Sequence, residues 1–115
     1  MSWNKINVTT ENIREGTSGC SQNCAIAWAI VDSLNLPDYE QISVDGCDDI
    51  YKTYKVGDSY YDIGYKVHPE DKERVRNFID WFDDQMDYED LSKEDDETLE
   101  CHTLTFRLRE RTTNA

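Results

Sequence analysis

No apolar run in this chain approaches the roughly 20 residues that a membrane span needs, and the first ten residues, MSWNKINVTT, lack the charged and apolar regions of a signal peptide. The expectation is a cytosolic protein with no membrane partner. Catalytic signatures are missing too. There is no Gly-rich phosphate loop, no Gly-x-Ser-x-Gly and no His-Glu-x-x-His. Only two histidines, His68 and His102, are present to serve as a base for a nucleophile, and a histidine just before Pro69 reads as a cap or surface residue. The sequence therefore calls for no enzyme and no cofactor.

Bases are scarce: 12 against 25 acids, for a net charge of −13. Such a field repels nucleic acid and anionic membranes and attracts basic protein surfaces, including those that hold DNA or RNA. Direct nucleic-acid binding is disfavoured. The four cysteines, Cys20, Cys24, Cys47 and Cys101, make no disulfide framework in a reducing compartment.

Hydrophobic residues at 37%, three tryptophans and seven tyrosines imply a folded core, and 115 residues without an internal repeat fit one domain, 1–115. Lys5 to Val8 reads as a short strand, followed by a turn or single helical turn capped by threonine at Thr9-Thr10-Glu11-Asn12. Ser18 or Ser21 is expected to cap a central helix running to about Leu34, with Cys24, Ala27, Trp28, Val31 and Leu34 at helical spacing, ended by Asn35-Leu36-Pro37. Gln41 to Asp45 and Ile50 to Val56 read as strands. Gly57-Asp58 is a two-residue hairpin loop, and Tyr61, Ile63, Tyr65 and Val67 alternate as the inward face of a further strand.

A second helix is expected to open at His68-Pro69-Glu70-Asp71, with the stripe Val75, Phe78, Ile79, Phe82 and Met86. Leu104, Phe106 and Leu108 then face inward from a last strand, with Thr105, Arg107 and Arg109 outward. The order β-α-β-β-β-α-β describes an α+β fold: an antiparallel sheet of four to five strands with two helices. The uncovered edge Lys5 to Val8 offers itself to a second copy, so a homodimer is one expectation.

Two stretches carry candidate function. Cys20 and Cys24 would supply one ligand pair of a structural zinc site and Cys101-His102 a second, but three intervening residues fit loosely, adjacent ligands point to opposite sides of a strand, and Cys47 has no companion. A thiol at a helix start also has a lowered pKa, but redox motifs of that kind have two intervening residues where this chain has three. The plainer alternative is a small buried cysteine at a helix start.

The second stretch is the acidic segment at 83–100, before the last strand. From Asp80 to Glu100 there are 11 acids and one base, Lys93, so these residues carry −10 of the net −13. The candidate partner-binding residues are Asp83, Asp84, Asp87, Tyr88, Glu89, Asp90, Leu91, Glu94, Asp95, Asp96 and Glu97. Carboxylates spaced like phosphates would occupy a basic groove, with Tyr88, Leu91 and Leu99 as apolar anchors. The alternative is a solvated loop that only keeps the protein soluble.

Asn12-Ile13, Gly16, Gly19, Asn23-Cys24-Ala25-Ile26-Ala27, His68-Pro69-Glu70, Phe78-Ile79-x-x-Phe82-Asp83 and Leu104-Thr105-Phe106-Arg107-Leu108 together resemble a family of small, uncharacterised phage and prophage proteins. In that family the helix usually reads Asn-Cys-Pro-Ile-Ala-Leu-Ala; this chain has Ala25 at the proline position and a longer acidic insertion. The resemblance implies phage origin, a compact fold, and a structural role for Asn23-Cys24. Phe78 to Asp90 followed by a Leu-Thr strand is also similar in style to acidic phage inhibitors of CRISPR nucleases, which block DNA-binding grooves. Together these imply an inhibitor of a host nucleic-acid-handling protein.

Overall fold

The computed structural model describes residues 3–16, 24–37, 41–46, 48–85 and 96–111. Strand β1 (Asn4–Val8) is followed by a one-and-a-half-turn helix α1 (Thr10–Glu15), then helix α2 (Ala25–Leu34) and strands β2 (Gln41–Val44), β3 (Ile50–Val56) and β4 (Ser59–Val67). Helix α3 (Lys72–Gln85), a short helix α4 (Asp96–Glu100) and strand β5 (Leu104–Glu110) complete the chain. The strands form one antiparallel sheet in the order β1-β5-β4-β3-β2. This is the expected α+β fold, with two short helices added to the two long ones.

Local chemistry explains most of the boundaries. The Thr9 hydroxyl accepts from Asn12 N–H at 3.2 Å while the Asn12 side chain accepts from Thr9 N–H at 3.0 Å, a reciprocal capping box. Helix α2 ends where Asn35 takes the left-handed conformation (φ 53°), Leu36 N–H reaches back to the Val31 carbonyl at 3.1 Å, and Pro37 follows. Gly57, at φ 62°, turns the β3–β4 hairpin between the paired residues Val56 and Ser59.

All four helices of the described residues contribute to a single core on one face of the sheet. Ile6 and Val8 of β1, Phe106 and Leu108 of β5, Val67 of β4, Ile50 of β3 and Ile42 of β2 meet Ile13, Ile26, Ile30, Val75, Phe82 and Leu99 there. Helix α2 packs against both edge strands, β1 and β2, so the sheet curls around it. Along β5 the alternation is as read: Phe106 and Leu108 buried, Thr105 exposed.

Four expectations are corrected. The buried side of α2 is Ala25, Ile26, Ala27, Ala29 and Ile30, while Trp28 is 39% exposed and Val31 and Leu34 are half-buried. Small residues let neighbouring backbone approach, and the bulky indole is left outside. The cap of α2 is Cys24, not a serine: its Sγ accepts from Ala27 N–H at 3.5 Å. Helix α3 begins at Lys72, not Pro69, because Pro69-Glu70-Asp71 form a turn closed by Asp71 N–H on the His68 carbonyl at 2.8 Å. Tyr61 is half exposed rather than inward, since β2 pairing stops at Thr53 and β5 pairing at Tyr65, which leaves the hairpin tip as an uncovered two-stranded ribbon. Met86, Ser18 and Ser21 lie outside the described residues.

Candidate functional site

The described residues on either side of the acidic segment are anchored in the core. Helix α3 buries Val75, Phe78 and Phe82 against the core, a face set by their 3–4-residue spacing. Phe78 and Phe82 stack at 5.8 Å between ring centroids, and Trp81 lies flat on His102 at 3.8 Å, so the end of α3 is tied to the residues just after α4. Leu99 of α4, only 1% exposed, is the returning anchor. It is a core residue, and this corrects its reading as an interface contact: one turn of helix is enough to bury it.

Of the candidate binding residues, Asp83 and Asp84 fall within α3 and Asp96 and Glu97 within α4, with Glu97 exposed. Asp87, Tyr88, Glu89, Asp90, Leu91, Glu94 and Asp95 lie outside the described residues. Asp80 and Glu100, at either end of the segment, are exposed.

The cysteines divide. Cys24 is buried at the start of α2, where its thiol serves the helix backbone, and Cys101 is exposed, its Sγ 3.9 Å from the Glu97 carbonyl. Cys20 and Cys47 lie outside the described residues. Among the described residues no three His, Cys, Asp or Glu side chains converge as a metal ion would require. His102 is stacked on Trp81, and His68 Nδ1 accepts from Glu70 N–H at 3.1 Å within the turn that precedes α3, so His68 does not cap the helix.

Asn12, Gly16 and the start of α2 form a packing junction between α1 and α2. Asn12, buried, donates from Nδ2 to Asp32 Oδ2 at 2.9 Å. Gly16 lies so close to the start of α2 that a Cβ there would stand 2.6 Å from Ala25 N.

One polar group of consequence was missed in sequence. Asp71, 3% exposed, accepts from Arg107 backbone N–H at 2.9 Å, from Arg107 Nε at 3.0 Å and from Arg74 Nη2 at 2.8 Å. The Arg107 carbonyl takes His68 N–H, the last rung of the β4–β5 ladder; its own N–H would be orphaned where β4 departs, and the Asp71 carboxylate replaces the missing rung. The Arg107 guanidinium, against the opposing cost of burial, holds the Asp71 carboxyl well below the usual carboxylate range, and Arg107 is correspondingly held above its usual range, chiefly by Asp71 and then by Glu70. This ion pair is structural: both partners are consumed by the join between α3 and β5. The signal available in sequence was an aspartate placed for a helix first turn opposite an outward arginine, which fits a surface pair equally well.

No described helix is long and apolar enough to cross a membrane. Comparisons with protein-family models, with curated proteins and with solved structures found no match for this chain.

Proposed function

We propose that this is a phage-type binding protein whose acidic segment docks on a basic, nucleic-acid-handling surface of a host protein and inhibits it by setting carboxylates where phosphates would lie. The observation that carries the reading is the concentration of −10 of the net −13 between Asp80 and Glu100, on a segment rooted at both ends by the buried Phe82 and Leu99. Fixed roots favour binding over a plain solubility tail, because they reduce the ordering cost of presenting many charges together. Asp83, Asp84, Asp87, Glu89, Asp90 and Glu94 to Glu97 supply the charge, and Tyr88 and Leu91 the apolar contacts. The resemblance to phage proteins supports a bacterial cytoplasm as the setting.

The test is capture of host proteins from bacterial lysate by the tagged chain, followed by elution with duplex DNA or with salt. Phosphate mimicry predicts that DNA and the captured protein exclude each other, and that near-molar salt releases the target. Charge reversal at Asp87, Glu89 and Asp90 is expected to abolish capture at an unchanged melting temperature. Capture that survives the reversal, or that DNA leaves intact, rejects the reading, and clean beads favour a segment that only confers solubility.

A further inference from the structure

Six of the chain's 12 bases lie on one surface, the face of the sheet opposite the core. Strand alternation and register place Lys5, Lys55, Lys66, Arg107 and Arg109 there, and Arg111 folds over Gly64 on the same side, its Cδ 3.2 Å from where a Cβ would stand. Asp62 is the one acid that β1, β3, β4 and β5 put on this face, and it takes the Thr53 hydroxyl at 2.8 Å. The pairing concentrates the charge further: Lys5 stands directly opposite Arg107, and Lys66 directly opposite Arg109. Like charges directly opposite in a sheet are destabilising. A protein with 13 surplus acids has no shortage of counter-charges, yet among the described residues only Arg107, through Glu70 and Asp71, has carboxylate partners on this face. Arg109 instead lies over the ring of Trp3, 4.3 Å from its centroid, and Lys55 over Tyr60, which is 71% exposed.

We infer that this face is a docking surface for the acidic side of a second copy of the same chain. Charge complementarity selects that occupant. The acidic segment carries −10, and its roots Phe82 and Leu99 belong to the core, on the other side of the sheet, so the natural counterpart of the basic face is a neighbouring molecule's segment. Nucleic acid offers the same sign of charge but must approach against the field of the whole molecule. The mode differs from pairing through the β1 edge, where Asn7 N–H is already taken by Ser33 Oγ of α2 at 3.2 Å.

Mass measurement on the pure protein by sedimentation or light scattering, across salt, is decisive because net charge and local complementarity predict opposite trends. Two chains of −13 repel most at low salt, so general electrostatics gives a monomer there. Specific docking gives association at about 0.02 M salt that weakens at least tenfold by about 0.5 M, as the screening length contracts. The expected result at about 100 μM chain is a mass above the 13.5 kDa of one chain at low salt, returning to it at high salt.

The double variant Lys5→Glu/Lys66→Glu should have the single-chain mass at both salts. It should also melt no lower than the natural chain, since it turns two like-charged cross-strand pairs into opposite ones. A natural chain that is monomeric at low salt, or a double variant that still associates, overturns the inference. So does binding of a labelled dodecamer of thymidine that the natural chain shows and the double variant loses, which would give the face to nucleic acid. None of these readouts involves a host target, so this inference and the proposed function fail separately.

Discussion

The α1–α2 junction and the α3–β5 junction do the same job by different means. The first is held by closeness: Gly16 against Ala25 N, and buried Asn12 hydrogen-bonded to Asp32 across the two helices. The second is held by charge, with one buried carboxylate accepting from two arginines and a backbone N–H. A steric junction fails when something is added and an electrostatic one when something is removed, and only the second depends on the protonation of a group shifted far from its ordinary range.

Removing the carboxylate should have the largest effect. Asp71→Ala strands the Arg107 N–H at the end of the β4–β5 ladder and deletes charge-assisted bonds, a loss of about 2 to 3 kcal/mol measured by denaturant unfolding. The pH dependence has a definite sign. Because the folded carboxyl titrates below the unfolded one, at about 3.9, its contribution is complete above that value and lost as pH falls from it toward the folded value. The stability gap between the natural chain and Asp71→Ala should therefore be constant near neutrality and narrow below about pH 4. Comparing the two proteins cancels the titration of the other carboxylates. A gap that widens in acid would mean that Asp71 is not the shifted group.

Gly16→Ala probes the steric junction, and here two effects compete. Alanine removes unfolded-state freedom, worth about 0.4 to 1 kcal/mol of stabilisation where the backbone suits it, as φ −69° does. Against this, the new methyl meets backbone, not a side chain that can swing away, and overpacking of that kind costs about 1 to 3 kcal/mol. The net expectation is about 1 to 2 kcal/mol lost, with no pH dependence between pH 3 and 7. A stabilised variant would show that the two helices have room to separate.

How much of this could be read from sequence depends on whether a local pattern carries it. The strands were legible because polar and apolar residues alternate in Leu104 to Arg109 and in Ile63 to Val67, and the α3 stripe because Val75, Phe78 and Phe82 stand out from charged neighbours. The buried side of α2 was not, since a helix reading AIAWAIV has almost no polar residue to mark its outside. Leu99 was misread because a single apolar residue in an acidic run has no period. The start of α3 and the role of Asp71 depend on Arg107, 36 residues away. The basic face was hidden for the same reason. Alternation turns Arg107 and Arg109 outward, but only the strand order β1-β5-β4 brings Lys5 and Lys66 beside them.

The smallest effect is expected at Cys24, and it bears on what the Asn23-Cys24 motif is for. Its thiol accepts from Ala27 N–H at 3.5 Å, long for a hydrogen bond and made by a weak acceptor. Serine is a far better N-cap, but at this buried position its hydroxyl loses water. The two changes oppose each other, so Cys24→Ser should alter stability by no more than about 0.5 kcal/mol in either direction. A cysteine that held zinc behaves otherwise. Its replacement would cost several kcal/mol, because the binding free energy of a structural metal is folding free energy, and the natural chain would lose the same amount to a chelator. A near-neutral Cys24→Ser with no response to chelator makes the cysteine the start of a buried helix. A large loss in both measurements would make the α1–α2 junction a metal-dependent one and dissolve its contrast with α3–β5.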